Sequence, residues 1–308
     1  MKKAVILTDG KAGHENQSKA FARALGLEPV LVQVAFKSKI AKTLSYLLDW
    51  LGIYSKHLFK PHIVPQGDYA VVIGTGSGVF YAVKVLAQGR HLPSAVILYP
   101  RGYKLADYSC ILAPSFDQPK RAPNILPIPV NLVAMDEAFY QAGCESFRAR
   151  YAGETKNAVA VIIGGPNGHA QMEPAWIKAQ LDALFAQTQG RPHWVTTSRR
   201  TPAAVDAVVD AYPWDYQLCY AREKYNPIPA FVSLAETLYV TAESTGMLSE
   251  TCSRGAARVE VLDNLIGQDH KFARFVKNLR EGGYVGGNRK VDLSPIFAQA
   301  ACLVGLQK

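Results

Sequence analysis

The stretch AVAVIIGGPNG, residues 158–168, is an apolar run that ends in a glycine-rich turn. A short run of this kind is typical of a strand that is buried on both faces, as strands of parallel sheets are. The N-terminal stretch KKAVILTDG, residues 2–10, has the same pattern. Each stretch begins a series in which short apolar runs alternate with helical patterns. The sequence therefore predicts an α/β fold with two parallel sheets.

The domain organisation follows from where the alternation stops and starts again. With 308 residues the chain is long enough for two domains of roughly 150 residues each. We expect Rossmann-like domains in residues 1–133 and 157–281, joined by a polar helical connector in 134–156. Residues 282–308 are predicted to form a loop and a last helix.

Composition excludes several classes of protein. Hydrophobic residues make up 49% of the chain and charged residues 19%, so overall disorder is excluded. The five cysteines are widely spaced, which favours reduced thiols in a cytoplasmic protein over a zinc site. We find neither a signal-peptide pattern nor a membrane-spanning run. The net charge is +9, with 18 basic and 10 acidic residues in 1–150 against 16 and 15 in 151–308.

Ligands of open α/β sheets bind beyond the carboxyl ends of the strands, so the loops there are the candidate sites. The sequence lacks a phosphate-binding G-x-x-x-x-G-K-[ST] motif and a G-x-S-x-G nucleophile elbow. A dinucleotide fingerprint is disfavoured in GTGSG because Val79 stands where a glycine is needed. The loops that directly follow predicted strands are Asp9–Asn16, Gly74–Gly78, Gly164–Gly168, Thr196–Thr201 and Glu243–Glu250.

The first of these loops contains a candidate general base. Gly10 and Gly13 would let the backbone approach a substrate, and His14 could remove a proton. The alternative is that Glu15 and Asn16 cap the next helix while His14 lies on the surface. The crowding of polar residues at a ligand edge keeps both interpretations open.

The loops of the second half favour phosphate. Small residues in Gly164–Gly168 would leave backbone N–H groups open at a helix N-terminus. Arg199 and Arg200, with neighbouring hydroxyls, match a diphosphate in charge and geometry. Glu250 could accept hydrogen bonds from both ribose hydroxyls. The alternative for the arginine loop is a solvated turn in which Ser or Thr caps the next helix. The alternative for Glu250 is an ordinary partner of a helix dipole.

Residues 36–60 form a basic segment with an apolar centre. Such a segment suits an anionic membrane surface or a lipid-linked acceptor. The alternative is a helix that covers the first sheet with solvated lysines, and nucleic acid is not expected because no recognised motif is present. The lysines concerned are Lys37, Lys39, Lys42, Lys56 and Lys60.

Together the loops resemble the bacterial members of the mitochondrial-fission (elongated mitochondria) family, which are described as glycosyltransferases. More remotely, the order of loops is similar to that of the N-acetylglucosaminyltransferase that forms lipid II. The segments that carry the resemblance are TDGKAGHENQ (8–17), IGTGSG (73–78), IGGPNG (163–168), TTSRRTP (196–202) and TAESTGMLSE (241–250).

The resemblance implies a GT-B architecture, in which two Rossmann-like domains face a cleft and the last helix returns to the first domain. It implies a metal-independent transfer of sugar from a nucleoside diphosphate donor, with no cofactor. His14, or else Asp9, would be the catalytic base, and Gly13, Asn16, Gly76 and Ser77 would line the acceptor side. The donor would be bound by Gly165, Asn167, Ser198, Arg199, Arg200, Ser244, Thr245 and Glu250.

Two rival functions fit the same fold. A nucleotide-sugar epimerase would need several carboxylates near the sugar, and the loops of the first domain contain few acidic residues. A non-catalytic module that recruits proteins or binds membranes would use residues 36–60, and plant relatives of the family act in recruiting a dynamin to mitochondria. We expect a cytoplasmic protein, peripheral on the inner face of the membrane.

Overall fold

A computed structural model describes residues 1–61, 64–133 and 136–306 of the chain. The chain divides into two compact units, one formed by Met1–Ala134 with Asp292–Lys308 and the other by Met135–Val291. Each unit has one parallel sheet with its own helices, so the predicted α/β class with two parallel sheets is confirmed.

The first unit is built on a six-stranded sheet in the order β2-β1-β3-β4-β5-β6. All its strand pairs are parallel, with Val5 of β1 beside Val72 of β3. Its first elements are β1 (Lys3–Thr8), α1 (Ala12–Ala24), β2 (Glu28–Gln33), α2 (Lys39–Leu51), β3 (Tyr69–Thr75), α3 (Phe80–Arg90), β4 (Ser94–Ile97), β5 (Cys110–Pro114) and β6 (Ile125–Ile128).

The second unit is built on a five-stranded sheet in the order β11-β10-β7-β8-β9, again with every pair parallel. Its elements are α4 (Glu137–Arg148), β7 (Val159–Ile163), α5 (Pro174–Gln187), β8 (His193–Thr197), α6 (Ala203–Val209), β9 (Tyr216–Leu218), α7 (Ile228–Leu234), β10 (Thr237–Thr241), α8 (Thr245–Ser253), β11 (Arg258–Leu262) and α9 (Lys271–Glu281). The last helix of the chain is α10 (Ser294–Leu303).

The residues of the predicted connector and tail are divided between the two units. Within the connector predicted for 134–156, helix α4 packs against α7 and belongs to the second unit, while residues 134 and 135 lie outside the described residues. The tail predicted for 282–308 is divided, because residues up to Val291 belong to the second unit. Helix α10 packs against β6 of the first unit.

Both faces of the first sheet are buried, which explains the unbroken apolar strands. In β1, Val5 and Leu7 point into one core cluster, while Ala4 and Ile6 point into the cluster on the opposite face. Helix α10 contributes to the second of these clusters through Ala300. Within the described ranges, no helix is both long enough and apolar enough to cross a bilayer.

Each sheet has one point where the strand order reverses. In the first sheet the chain runs from β1 to β2 on one side and later from β3 outward on the other. In the second sheet β7 leads to β8 and β9 on one side, and β10 leads to β11 on the other. Ligands of open α/β sheets bind at such reversal points. The loops after β1 and β3, and those after β7 and β10, are therefore the candidate binding loops.

Candidate functional site

Asp9 and His14 form a polar pair between β1 and α1. Nδ1 of His14 lies 3.0 Å from Oδ1 of Asp9, and Nζ of Lys11 lies 3.0 Å from Oδ2. Partial burial alone would raise the pKa of Asp9, but hydrogen bonds from Lys11 and His14 outweigh it and lower the pKa below 3.8. Asp9 is therefore ionised near neutral pH, and the His14 nitrogen that faces it carries a proton.

This pairing gives the two residues different chemical roles. An imidazole that is protonated at Nδ1 can accept a further proton at Nε2. The carboxylate fixes the tautomer and the ring orientation, and it stabilises the imidazolium that forms. His14 is partly exposed. The geometry therefore favours His14 as a general base and Asp9 as the residue that positions it, whereas the sequence left both as candidate bases.

Two glycines of the loop after β3 make room for this pair. A Cβ on Gly76 would lie 2.3 Å from Cε1 of His14, and one on Gly78 would lie 2.9 Å from the Asp9 side chain. Gly76 also has φ of +87°, which favours glycine. Glycine is therefore needed at both positions for the loop to lie against Asp9 and His14.

The other residues predicted on the acceptor side are placed around the same loops. Ser77 is exposed, and its hydroxyl accepts a hydrogen bond from Nζ of Lys42 at 3.0 Å. Gly13 borders open space, and Asn16 is partly buried on the next turn of α1. The structure thus brings Ser77 and Gly76 into one loop beside His14, with Gly13 and Asn16 on the adjoining helix.

The lysine-rich segment lies on and around helix α2. Lys37, Lys39, Lys56 and Lys60 are exposed, whereas Lys42 is partly buried through its contact with Ser77. The basic residues therefore lie on the surface of the first unit. A membrane surface or lipid-linked acceptor remains a prediction.

In the second unit a buried carboxylate occupies the glycine loop after β7. Oε1 of Glu243 accepts a hydrogen bond from the Gly165 N–H at 2.8 Å, and the Gly164 N–H donates to the Thr241 hydroxyl at 2.8 Å. Nδ2 of Asn264 donates to Oε2 of Glu243 at 2.9 Å. Glu243 is 2% exposed.

These bonds alter the expected role of Gly165. Its N–H group already has a partner, and that partner is a carboxylate, so this amide is not open to a phosphate oxygen. A Cβ on Gly165 would lie 2.4 Å from the Arg200 carbonyl oxygen. Gly165 instead allows the loop after β8 to approach the loop after β7.

The loop after β8 brings several predicted residues together. The Ser198 hydroxyl accepts a hydrogen bond from the Arg200 N–H at 3.2 Å, and an Nη1 of Arg200 donates to the Pro166 carbonyl at 3.4 Å. Arg199 and Arg200 are both exposed. The side chain of Asn167 is used locally, since its Oδ1 accepts from the His169 N–H at 2.8 Å.

Ser244 and Thr245 lie at the N-terminus of α8, directly after the loop that carries Glu243. Both are partly buried, and the Ser244 side chain does not cap the helix. Within the described part of the chain, neither hydroxyl has a hydrogen-bond partner. The start of α8 therefore offers two hydroxyls and the positive end of a helix dipole.

Glu250 lies one turn and a half further along α8. Its Oε1 accepts a hydrogen bond from the Tyr140 hydroxyl of α4 at 3.0 Å. Burial raises the pKa of Glu250 above its ordinary 4.5, although the Tyr140 hydrogen bond and the charge of Arg254 oppose the shift. One carboxylate oxygen of Glu250 is thus held by Tyr140, and the described residues give no hydrogen bond to Oε2.

Sequence reasoning missed Glu243, Asn264 and Tyr140. Glu243 begins a loop that directly follows a predicted strand, and this position was the signal that could have identified it. Asn264 follows β11, a strand that the sequence analysis did not assign. Among the described residues, no group of three or more His, Cys, Asp or Glu side chains could hold a metal ion.

Comparison with known proteins identifies relatives of the sequence. The family model described as mitochondrial fission ELM1 matches residues 12–290. The mitochondrial fission protein ELM1 of Arabidopsis thaliana is 30% identical over 158 residues, which are 49% of this chain. The match covers 36% of that protein, so the chain corresponds to about a third of its relative's length.

Solved structures show the fold. A UDP-GlcNAc 2-epimerase from Neisseria meningitidis, bound to UDP-GlcNAc, is 13% identical with a TM-score of 0.52, covering 99% of each chain. A UDP-glucosyltransferase from Polygonum tinctorium is 10% identical with a TM-score of 0.51, covering 99% of this chain and 89% of that one. At these identities the likeness shows the fold alone, and it confirms the expected GT-B-like class.

Proposed function

The chain belongs to the mitochondrial fission ELM1 family, and on that premise we propose that it is a glycosyltransferase that uses a nucleoside diphosphate sugar. The observation that carries the proposal is the Asp9–His14 pair at the reversal point of the first sheet, 3.0 Å apart. A positioned imidazole with Nε2 open to accept a proton is what transfer to a hydroxyl requires. The GT-B-like fold, which the UDP-sugar enzymes above share, supports the same conclusion.

The second unit would bind the donor. The Ser244 and Thr245 hydroxyls at the start of α8 suit the diphosphate, and the exposed Arg199 and Arg200 supply positive charge for it. Glu250 would accept a ribose hydroxyl at Oε2 while Tyr140 holds Oε1. Gly165 supports this arrangement only by letting the loops pack, since its N–H is occupied by Glu243.

The proposed reaction transfers a sugar from the diphosphate donor to a hydroxyl of the acceptor. Nε2 of His14 removes the proton of an acceptor hydroxyl, whose oxygen then forms a bond to the anomeric carbon. The bond from that carbon to the diphosphate breaks, and the diphosphate leaves with the bonding electrons. Arg199 and Arg200 stabilise the charge that develops on it, which in such reactions provides a large part of the acceleration.

Isothermal titration calorimetry with UDP, GDP, ADP and CMP, and with their sugars, tests the proposal. We expect the wild-type chain to bind at least one of them, and Glu250→Gln to weaken that binding. His14→Gln should leave donor binding unchanged but lower the rate of transfer by about 10²–10⁴-fold, as loss of a general base does. Absence of binding to every nucleotide, or loss of donor binding in His14→Gln, would contradict the proposal.

An epimerase on the same fold is the second candidate. Asp9 lies 3.0 Å from His14, and the same loop region has a second carboxylate in Glu15, which accepts hydrogen bonds from Thr8 and Lys19. Incubation of the bound nucleotide sugar without any acceptor, followed by proton NMR, separates the two activities. An epimer formed from the donor alone would favour the epimerase over the transferase.

We also propose a cytoplasmic location, with the protein peripheral on the inner face of the membrane. The positive charge of residues 1–150 and the exposed lysines around α2 support it. Fractionation of cells into soluble and membrane fractions, with and without a high-salt wash, measures this location. Recovery from the soluble fraction alone at low salt would contradict the peripheral part.

A further inference from the structure

The inner side of helix α2 packs Ala41, Tyr46 and Leu48 against the core together with two polar residues, while five other apolar residues of the helix face outward. Ser45 and Asp49 on its inner side are buried. Ile40 is 80% exposed and Trp50 is 69% exposed, and both lie on the opposite side. The outer face of α2 consists of Ile40, Leu44, Leu47, Trp50 and Leu51, all of them exposed. One alternative expected from the sequence was that these apolar residues cover the first sheet. In the structure these five residues face solvent instead.

Buried polar contacts fix this orientation. Oδ1 of Asp49 lies 2.6 Å from Nζ of Lys84, which is itself 3% exposed, and Oδ2 accepts from the Lys104 N–H at 2.6 Å. The Ser45 hydroxyl lies 2.9 Å from that of Tyr103. Rotation of α2 to bury its outer leucines would take the Asp49 carboxylate away from both of these partners, which is strongly unfavourable. The outer face is therefore a stable surface of the first unit.

The surroundings of the outer face are positively charged. Lys37, Lys39 and Lys56 flank α2 and are exposed. Asp49 is the one acidic residue in 36–60, and its charge is buried beside Lys84. The segment therefore presents an apolar stripe with lysines around it and no exposed acidic side chain.

We propose that the outer face of α2 docks onto the surface of an anionic lipid bilayer. Apolar side chains on one helix face, with lysines at its border, enter the boundary between headgroups and acyl chains while the lysines contact anionic headgroups. An exposed tryptophan suits that depth, where its ring is partly in the apolar layer. This inference deepens the proposed peripheral location by naming the surface, and it concerns the first unit alone.

Co-sedimentation with vesicles tests the role of charge. The full chain is mixed with vesicles of phosphatidylcholine alone or with 30% phosphatidylglycerol, and we expect binding only to the second kind. Lys37→Gln with Lys39→Gln should weaken it by about fivefold for each lysine removed. Lys178→Gln with Lys277→Gln, a matched pair of exposed lysines in the second unit, should leave it unchanged. Equal binding to both vesicles would overturn the proposal.

Substitution of the apolar residues tests the face itself. Ile40→Ser with Leu47→Ser should lower the vesicle affinity at least tenfold, whereas Leu31→Ser with Ile266→Ser, two exposed apolar residues elsewhere, should not. Vesicles with brominated acyl chains should quench tryptophan fluorescence in the wild type and not in Trp50→Phe. An equal loss of vesicle affinity in both double variants would overturn the proposal. Quenching in Trp50→Phe as strong as in the wild type would also overturn it.

Three further measurements separate the remaining outcomes. A second copy of the chain could cover the outer face instead, and sedimentation equilibrium would then show a dimer that Ile40→Ser with Leu47→Ser dissociates, which would overturn membrane docking. Far-UV circular dichroism checks that the variants are folded. Nucleotide titration of the same variants distinguishes this inference from the proposed activity, because loss of vesicle binding with intact nucleotide binding affects only the α2 surface.

Discussion

The glycine-rich loops after β3 and β7 both depend on glycine, but for different purposes. In the first unit, glycines at 76 and 78 clear space for the side chains of His14 and Asp9, which remain partly exposed. In the second unit, glycine at 164 clears space for Glu243, whose Oε1 would lie 1.8 Å from a Cβ there. One loop thus lies against a pair open to solvent, and the other encloses a buried carboxylate.

The difference shows what a glycine-rich turn after a strand can and cannot indicate. It indicates close approach of another part of the chain, because a missing Cβ leaves room for it. It does not indicate that the backbone N–H groups are open, since in the second unit Gly164 and Gly165 both donate to side chains. In the proposed donor site, the contacts to the diphosphate would then come from neighbouring residues such as Ser244 and Arg199.

The largest effect should follow removal of the buried carboxylate. Glu243→Ala leaves the Gly165 N–H and one N–H of the Asn264 amide without an acceptor, while the amide keeps its bond to the Gln171 carbonyl. Each unsatisfied buried donor costs about 1–3 kcal/mol. We expect the free energy of unfolding to fall by about 3 kcal/mol, measured by urea denaturation. Glu236→Ala, which breaks an exposed ion pair with Arg191, should cost at most about 1 kcal/mol. Equal losses would mean that Glu243 does not organise the loop.

In the first unit the corresponding change should affect chemistry more than stability. Gly76→Ala places a Cβ against the His14 ring in a backbone conformation that favours glycine, so the ring must leave Asp9. We expect transfer to fall at least tenfold, about 1.4 kcal/mol in the barrier, with donor affinity unchanged. Gly89→Ala, in helix α3 with open space around it, is the matched control and should keep full activity. An active Gly76→Ala would argue against the His14 assignment.

Much of the fold could be predicted because strong patterns specify it. Runs such as those of β1 and β7 are apolar on both faces and are followed within two residues by a glycine, so their strands and the two sheets could be predicted directly from the sequence. Strands β9 and β11 escaped prediction. Tyr216–Leu218 has only three residues, and Arg258–Leu262 is an edge strand with charged residues at 258 and 260.

The candidate site was predictable in its loops and less so in its contacts. That the loops after β1 and β3 lie side by side follows from the strand order, which the sequence does not state. Helix α2 shows the same limit, because its leucines, judged by composition alone, would be predicted to face the core. Only the positions of Lys84 and Asp107, far along the chain, explain why Asp49 is buried instead. Contacts between distant residues decide such cases.

The smallest expected effects come from the protonation of single carboxyl groups. They should change stability with pH in opposite directions in the two units. The pKa of Asp9 is lowered, so its contribution to stability is present above pH 3.8 and is lost as the pH falls through the lower, folded value. The pKa of Glu250 is raised, so the folded chain loses stability as the pH rises from 4.5 through the folded value. Urea denaturation between about pH 3 and pH 7 measures both contributions. Asp9→Asn should remove the first pH dependence and Glu250→Gln the second. If both carboxylates changed stability with pH in the same direction, their pKa values would not be shifted as described.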